Sequence, residues 1–206
     1  MTTFATLKTD ISSYMARSDL TESLKNTFVR IAEAEIRRKV RIGQMETTNT
    51  SFSVSSQTTA LPTGFVSMRA VTNNTQNQRE MEYMSPVRLR SSRIFDEGTG
   101  EPSVYTIEGD NIVIAPTPSS GSLTIVYYKA FDALSADTDT NWLLANGYDV
   151  YLYGSLRAAS EWAMEPDTEN QYAIKFERAV EQINREDRWG RVSGSGLVRT
   201  GGGGTP

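Results

Sequence analysis

The side chains best suited to chemistry are scarce in this chain, and the missing types say as much as those present. Among 206 residues there is no cysteine and no histidine. Thiolate nucleophiles, disulfides, cysteine-bound metals and every Ser-His or Cys-His arrangement are therefore excluded. Carboxylates remain. Glu161 and Glu165 stand one helical turn apart, and paired carboxylates cleave glycosides. Such pairs face each other across a cleft, however, whereas neighbours on one helix make a charged surface. Asp132, Asp137, Asp139 and Asp149 gather around a polar stretch, but they lack the alternating ligands, central glycine and closing glutamate of a calcium loop. A solvated loop that caps the next helix is the expected use. The glycine-rich GSGLVRTGGGG has neither the GxxxxGK[ST] spacing of a phosphate loop nor its strand and helix flanks. No catalytic residue, metal ligand or cofactor is expected.

Charge points to binding rather than turnover. The net charge is −4 and the pI about 5.0, a poor balance for a dedicated nucleic-acid binder unless the charge is segregated. One segregated group is Arg37, Arg38, Lys39 and Arg41. Positive charge at a helix C-terminus is favoured by the macrodipole. The functional alternative is a surface turned towards an acidic partner or passing DNA, and it supplies a second reading: a soluble nucleic-acid-associated protein. Arg88, Arg90 and Arg93 form another group, while Arg185, Arg188 and Arg191 interleave with acids as ion pairs along a helix.

The densest aromatic stretch is TNWLLANGYDVYLYGSLRAASEW, with Trp142, Tyr148, Tyr151, Tyr153 and Trp162. These residues do not alternate with Arg or Lys as a base-stacking platform does. Tyr148, Tyr151, Leu152, Ser155, Leu156, Ala158, Ala159 and Trp162 recur at helical spacing, which describes a helix covered on several sides in a core or a subunit interface.

The elements that must hold these residues follow from periodicity. Thr3 caps a helix bearing Phe4, Leu7, Ile11 and Met15. A second start at Ser18-Asp19 opens a helix with an apolar stripe of Leu20, Leu24, Phe28, Ile31, Ile36 and Val40, ended by Gly43. From Thr47 the period becomes two. SFSVSS, LPTGFVSMRAVT, REMEYM, the hairpin SVYTIEGDNIVIAP and SLTIVYYKAF read as strands, and SPVRLRSS as a short helix with Pro86 at its first turn. Asn73 to Gln78 reads as a loop. Helix returns at Trp142, breaks at Gly147, runs on to about Met164, stops at Pro166, and resumes from an Asp167 or Thr168 cap to Trp189. The expected fold is α+β: a mainly α-helical bundle with a small antiparallel β-meander inserted between its N- and C-terminal helices. The expected divisions are residues 1–45, 46–132 and 133–190, with 191–206 a flexible Gly-rich arm. No apolar run is long enough for a membrane span, and MTTFATLKTD lacks the pattern of a signal peptide. A soluble protein made in the cytoplasm is expected.

The combination of LPTGFVSMRAVT, MEYMSPVRLR, YTIEGDNIVIAPTP, IVYYKAF, TNWLL, YDVYLYGSL and FERAVEQINREDRW resembles the head-to-tail adaptor family of tailed bacteriophages, over about Leu20 to Trp189. The resemblance implies a structural virion protein. In that family a ring of subunits, usually twelve, sits under the portal protein, presents a surface to the tail tube or nozzle, and surrounds the path of the double-stranded DNA. It further implies that the helices build the ring, that a β-part at about Thr47 to Phe131 faces the tail, and that a terminal arm docks on the portal. The arm would carry Arg191, Leu197, Val198 and Arg199. Trp142, Tyr148, Tyr151, Tyr153 and Trp162 would serve the subunit core or interface.

Overall fold

A computed structural model describes residues 2–74, 79–92, 95 and 98–192, with side chains as far as Arg188. Among them are six α-helices and eight strands. The chain divides into two compact units, one drawn from the residues up to Gly43 and from Ala133 onward, the other from Gln44–Asp132. The fold is mixed α+β rather than mainly a helical bundle.

In the helical unit, α1 (Phe4–Met15) is capped by Thr3, whose hydroxyl accepts the Thr6 amide, and buries Phe4, Leu7 and Ile11 on one face. It ends in a left-handed residue, Ala16 at φ 50°. The cap of α2 (Glu22–Lys39) is Thr21, not Ser18 or Asp19: its Oγ1 accepts the Leu24 amide at 3.3 Å, while Asp19 pairs with Arg17. Leu20 therefore precedes this helix, and Ile31 is exposed rather than part of a buried stripe. The end is also earlier than Gly43. Val40 turns extended at ψ 129°, and Val40 and Ile42 are both buried. Leaving the helix lets two apolar residues within three positions both reach the interior, and Gly43–Met45 follows as a 3-10 turn.

The C-terminal helices are α4 (Trp142–Asn146), α5 (Tyr148–Trp162) and α6 (Pro166–Val192). Pro166 begins α6 instead of stopping a helix, as fits a residue with no N–H at the first helical turn. What ends α5 is Met164, left-handed at φ 58°, which allows the Ala163, Met164 and Glu165 amides to reach Ala159, Glu161 and Ser160 carbonyls. Helix α6 then fastens the end of α2: Asn184 accepts from the Arg41 amide and donates to the Lys39 carbonyl, and Asp187 accepts from the Gly43 amide at 2.6 Å.

The strand unit is no meander. Strands β1 (Glu46–Val54), β3 (Phe65–Asn73), β4 (Arg79–Glu80) and β8 (Gly121–Lys129) form one sheet in the order β1-β8-β3-β4. Strands β2 (Thr58–Ala60), β5 (Glu82–Tyr83), β6 (Val104–Glu108) and β7 (Asn111–Ala115) form the other, in the order β2-β7-β6-β5, with β5 parallel to β6. REMEYM is thus not one strand: it divides between the sheets, and Met81 at the division is buried. Between the sheets lies one apolar core of Phe52, Val54, Val71, Leu123, Ile125 and Tyr127 from the first sheet and Tyr105, Ile112 and Ile114 from the second. On the outer face of the second sheet, Leu89 of α3 (Pro86–Ser91) joins a smaller cluster with Met84, Val104, Val113 and Ala115. Burial on both faces explains why Val104, Tyr105 and Thr106 are all buried although the sequence alternates.

Candidate assembly interface

The aromatic stretch divides between inside and outside. Along α5, Val150, Tyr151, Leu152, Gly154, Ser155, Leu156, Ala158, Ala159 and Ser160 are buried. A run of consecutive buried residues means neighbours on several sides, and α1, α2, α4 and α6 supply them. Within α5 the fit is close at Gly154: a Cβ there would lie 3.0 Å from the Ala32 Cβ and 3.1 Å from the Phe176 ring. Such a Cβ would make the neighbouring helices give by a few tenths of an ångström.

Tyr151 is buried, with its hydroxyl accepting from Asn141 Nδ2 at 2.8 Å, and burial pushes its pKa up. Tyr148, half-buried, donates to the Asp10 carboxylate, and desolvation together with that acid raises its pKa too. Both phenols stay neutral and act as hydrogen-bonding posts of the fold. Tyr153 stacks on Tyr172 at 6.3 Å, with Lys175 over both rings. Trp142 and Trp162 lie at the surface, 38% and 39% exposed. Trp162 rests against Phe28 at 6.0 Å and carries the Arg17 guanidinium at 5.2 Å. The stretch has a packed interior and two aromatic edges.

The basic group is not one surface. Lys39 pairs with Glu35 and Glu177, and the Arg41 guanidinium donates to the Arg37 and Val40 carbonyls, closing the end of α2. Arg37 and Arg38 are exposed. Arg90 pairs with Glu108, Arg185 with Glu181, and Arg93 lies outside the described residues. The acids are taken up in the same way. Asp137 and Glu22 flank the buried Lys8 ammonium, whose pKa the two carboxylates raise, and Asp132 meets Lys129. Asp139 accepts from the Ala136 and Ser135 amides and the Ser135 hydroxyl, which hold its carboxyl below the usual range. Asp149, Glu161 and Glu165 are exposed. Among the described residues no group of three or more acids is placed to hold a metal ion, and no helix is long and apolar enough to cross a membrane.

The helical unit packs around its own core with several charged pairs, and the strand unit holds an apolar core of its own. The family model described as SU10 adaptor protein matches residues 2–199. The chain belongs to the SU10 adaptor protein family. That family is one of phage head-to-tail adaptors, so its role is structural and its place is in the virion, among other head and tail proteins. No curated protein matches the chain.

For this adaptor the arm residues named above stand apart. Arg191 is within α6, which continues to Val192, so an arm would begin later than residue 191. Leu197, Val198 and Arg199 lie outside the described residues. Sequence reasoning missed Lys8, a lysine on an otherwise apolar helix face and 7% exposed. The signal was present, since position 8 falls between Leu7 and Ile11 on the buried side. It also missed Gly154 and the short strand β2, whose TTA carries no pattern of its own.

Proposed function

We propose that this adaptor forms a ring beneath the portal, joins it to the tail, and surrounds the passage through which DNA leaves the head. The match to an adaptor family over residues 2–199 carries the reading. Two features support it. The aromatic edges Trp142 and Trp162 stand on a rigid helical unit, as a neighbouring subunit's pocket requires. Arg37 and Arg38, exposed at the end of α2, suit a lumen or an acidic partner. The portal and the tail tube or nozzle are the protein partners, a dodecamer the stoichiometry, and residues beyond Val192 the portal-docking arm.

The test is cryo-electron microscopy of the protein mixed with portal particles of its own phage. A ring of density under the portal is expected. Density on capsid faces or tail fibres of the virion, and none at the vertex, would sink the reading. The rival, free nucleic-acid binding, is weakened because Lys39 and Arg41 of the basic group are engaged within the fold. A gel shift lost in the Arg37→Ala/Arg38→Ala variant would favour it.

A further inference from the structure

The first sheet of the strand unit has an unfinished edge on either side. Strand β1 is its last strand on one side. On the other, β4 covers β3 only at Thr72 and Asn73, leaving Val66–Ala70 without a strand beyond it among the described residues. Over Thr47–Asn49 and Val66–Ala70 the only strand partner described is β8. Roughly every second backbone N–H and C=O of an edge strand points outward, where another strand can take it.

The two edges match. Both β1 and β3 run antiparallel to β8, so they run parallel to each other. Both also lie at one level along β8. Glu46 and Ser67 are partners of Tyr128, Thr47 and Met68 of Tyr127, and Thr48 and Ala70 of Val126. Each edge strand carries a single charged residue, Glu46 on β1 and Arg69 on β3, and these already pair across β8 at 3.5 Å. A ring closed by rotation alone needs two different surfaces of one subunit to meet at the same height and in the same direction. With the strands along the ring axis, these edges do so without slip. The β1 edge, ETTNTSFSV, has no Lys or Pro to forbid pairing. The β3 edge has register shifts at Val66 and Arg69. Such bulges twist a strand and turn away loose peptides, which favours a partner strand already held in a folded neighbour.

We infer that β1 of one copy pairs in parallel with β3 of the next copy, so that the first sheet runs on from subunit to subunit, with Glu46 and Arg69 facing each other at every join. The inference rests on the ring reading and adds a contact made by backbone in the strand unit.

The chain's lack of cysteine permits a clean test. Thr48 and Ala70 flank Val126 within one subunit, about 10 Å apart across two strand spacings and out of disulfide reach. Adjacent across a join, they would be within it. The Thr48→Cys/Ala70→Cys variant, assembled on portal particles and mildly oxidised, is expected to give a ladder of disulfide-linked multimers. Either single variant is expected to give none. In the unsubstituted protein, amides of Thr47–Asn49 are expected to exchange hydrogen at least tenfold more slowly in the ring than in the free subunit. Rings visible by microscopy with neither linkage nor slowed exchange would overturn the edge pairing and leave the ring standing. No ring under any condition would overturn both.

Discussion

The helical unit and the strand unit solve opposite problems. Helix α5 is enclosed by its neighbours, and its specificity lies in side-chain shape, down to a glycine at a close interhelical contact. The first sheet encloses side chains too, in a core shared with the second sheet, but among the described residues no further strand pairs with β1 or with Val66–Ala70 of β3. A helix satisfies its backbone within itself and a sheet does so only by adding strands. The helical unit is therefore the place where substitutions damage folding, and the strand edge the place where they damage assembly.

The heaviest effect is expected at Gly154. Its Cβ position is already 3.0 Å from the Ala32 Cβ and 3.1 Å from the Phe176 ring. Gly154→Val forces a branched side chain between α2, α5 and α6 and should destabilise the subunit by about 3 kcal/mol, the upper range for overpacking. Gly154→Ala gains about 1 kcal/mol of helix propensity, offsetting much of its milder crowding. Urea unfolding of both variants measures this. Equal midpoints for Val and wild type would mean that these helices are not held as closely as the structure has them.

A smaller effect of opposite sign is expected one residue on. The Ser155 hydroxyl is buried without a hydrogen-bond partner among the described residues. Ser155→Ala removes an unpaired polar atom and favours helix, so it should stabilise by about 1 kcal/mol. A loss of stability would show that the hydroxyl has a partner.

Glu33 gives the helical unit a pH dependence. Burial pushes its pKa up from 4.5, opposed by the Leu134 amide at 2.9 Å and by the Tyr151 hydroxyl. A carboxyl raised in the fold contributes its stability below the unfolded value and loses it as pH climbs through the raised one. Glu22 behaves in reverse: Lys25 and Lys8 hold its pKa low, so its contribution is present above the ordinary value and lost on acidification. Glu33→Gln keeps an acceptor for Leu134 and removes the charge. It should match or exceed the wild type in thermal midpoint at neutral pH, with the difference vanishing below pH 4.5. A variant less stable at neutral pH would reverse the sign.

How much of this was legible in the sequence follows the same division. Periodicity located the helices because their partners recur within a few residues: Phe4, Leu7 and Ile11 announce α1, and the Tyr148 to Trp162 pattern announces α5. The longer strands were legible too, and the Gly109-Asp110-Asn111 turn marked the β6–β7 hairpin, where Gly109 has a φ of 60°. Sheet order was not. That β8 lies between β1 and β3 depends on pairing Glu46 with Tyr128, far apart in sequence, and no local pattern encodes a partner at that range. Likewise nothing in LPTGFVSMRAVT shows which stretch of β3 remains uncovered. Of the assembly residues, the helical aromatics were visible as a run, whereas the edges exist only once the order of strands is known.

The smallest effect on folding is expected at Thr48, and it tests the comparison most directly. Thr48 is exposed on the edge strand, beside Val126 of β8 and with no strand beyond it among the described residues. Thr48→Lys places there the side chain that sheets use to discourage pairing, and as a surface change it should alter stability by less than about 0.5 kcal/mol. If the strand unit leaves its edge for a neighbour, the variant keeps its urea midpoint yet no longer forms rings on the portal. If it assembles as well as the wild type, the edge is merely solvated, and the surface that builds the ring belongs to the helices, with Trp142 and Trp162 the next residues to change.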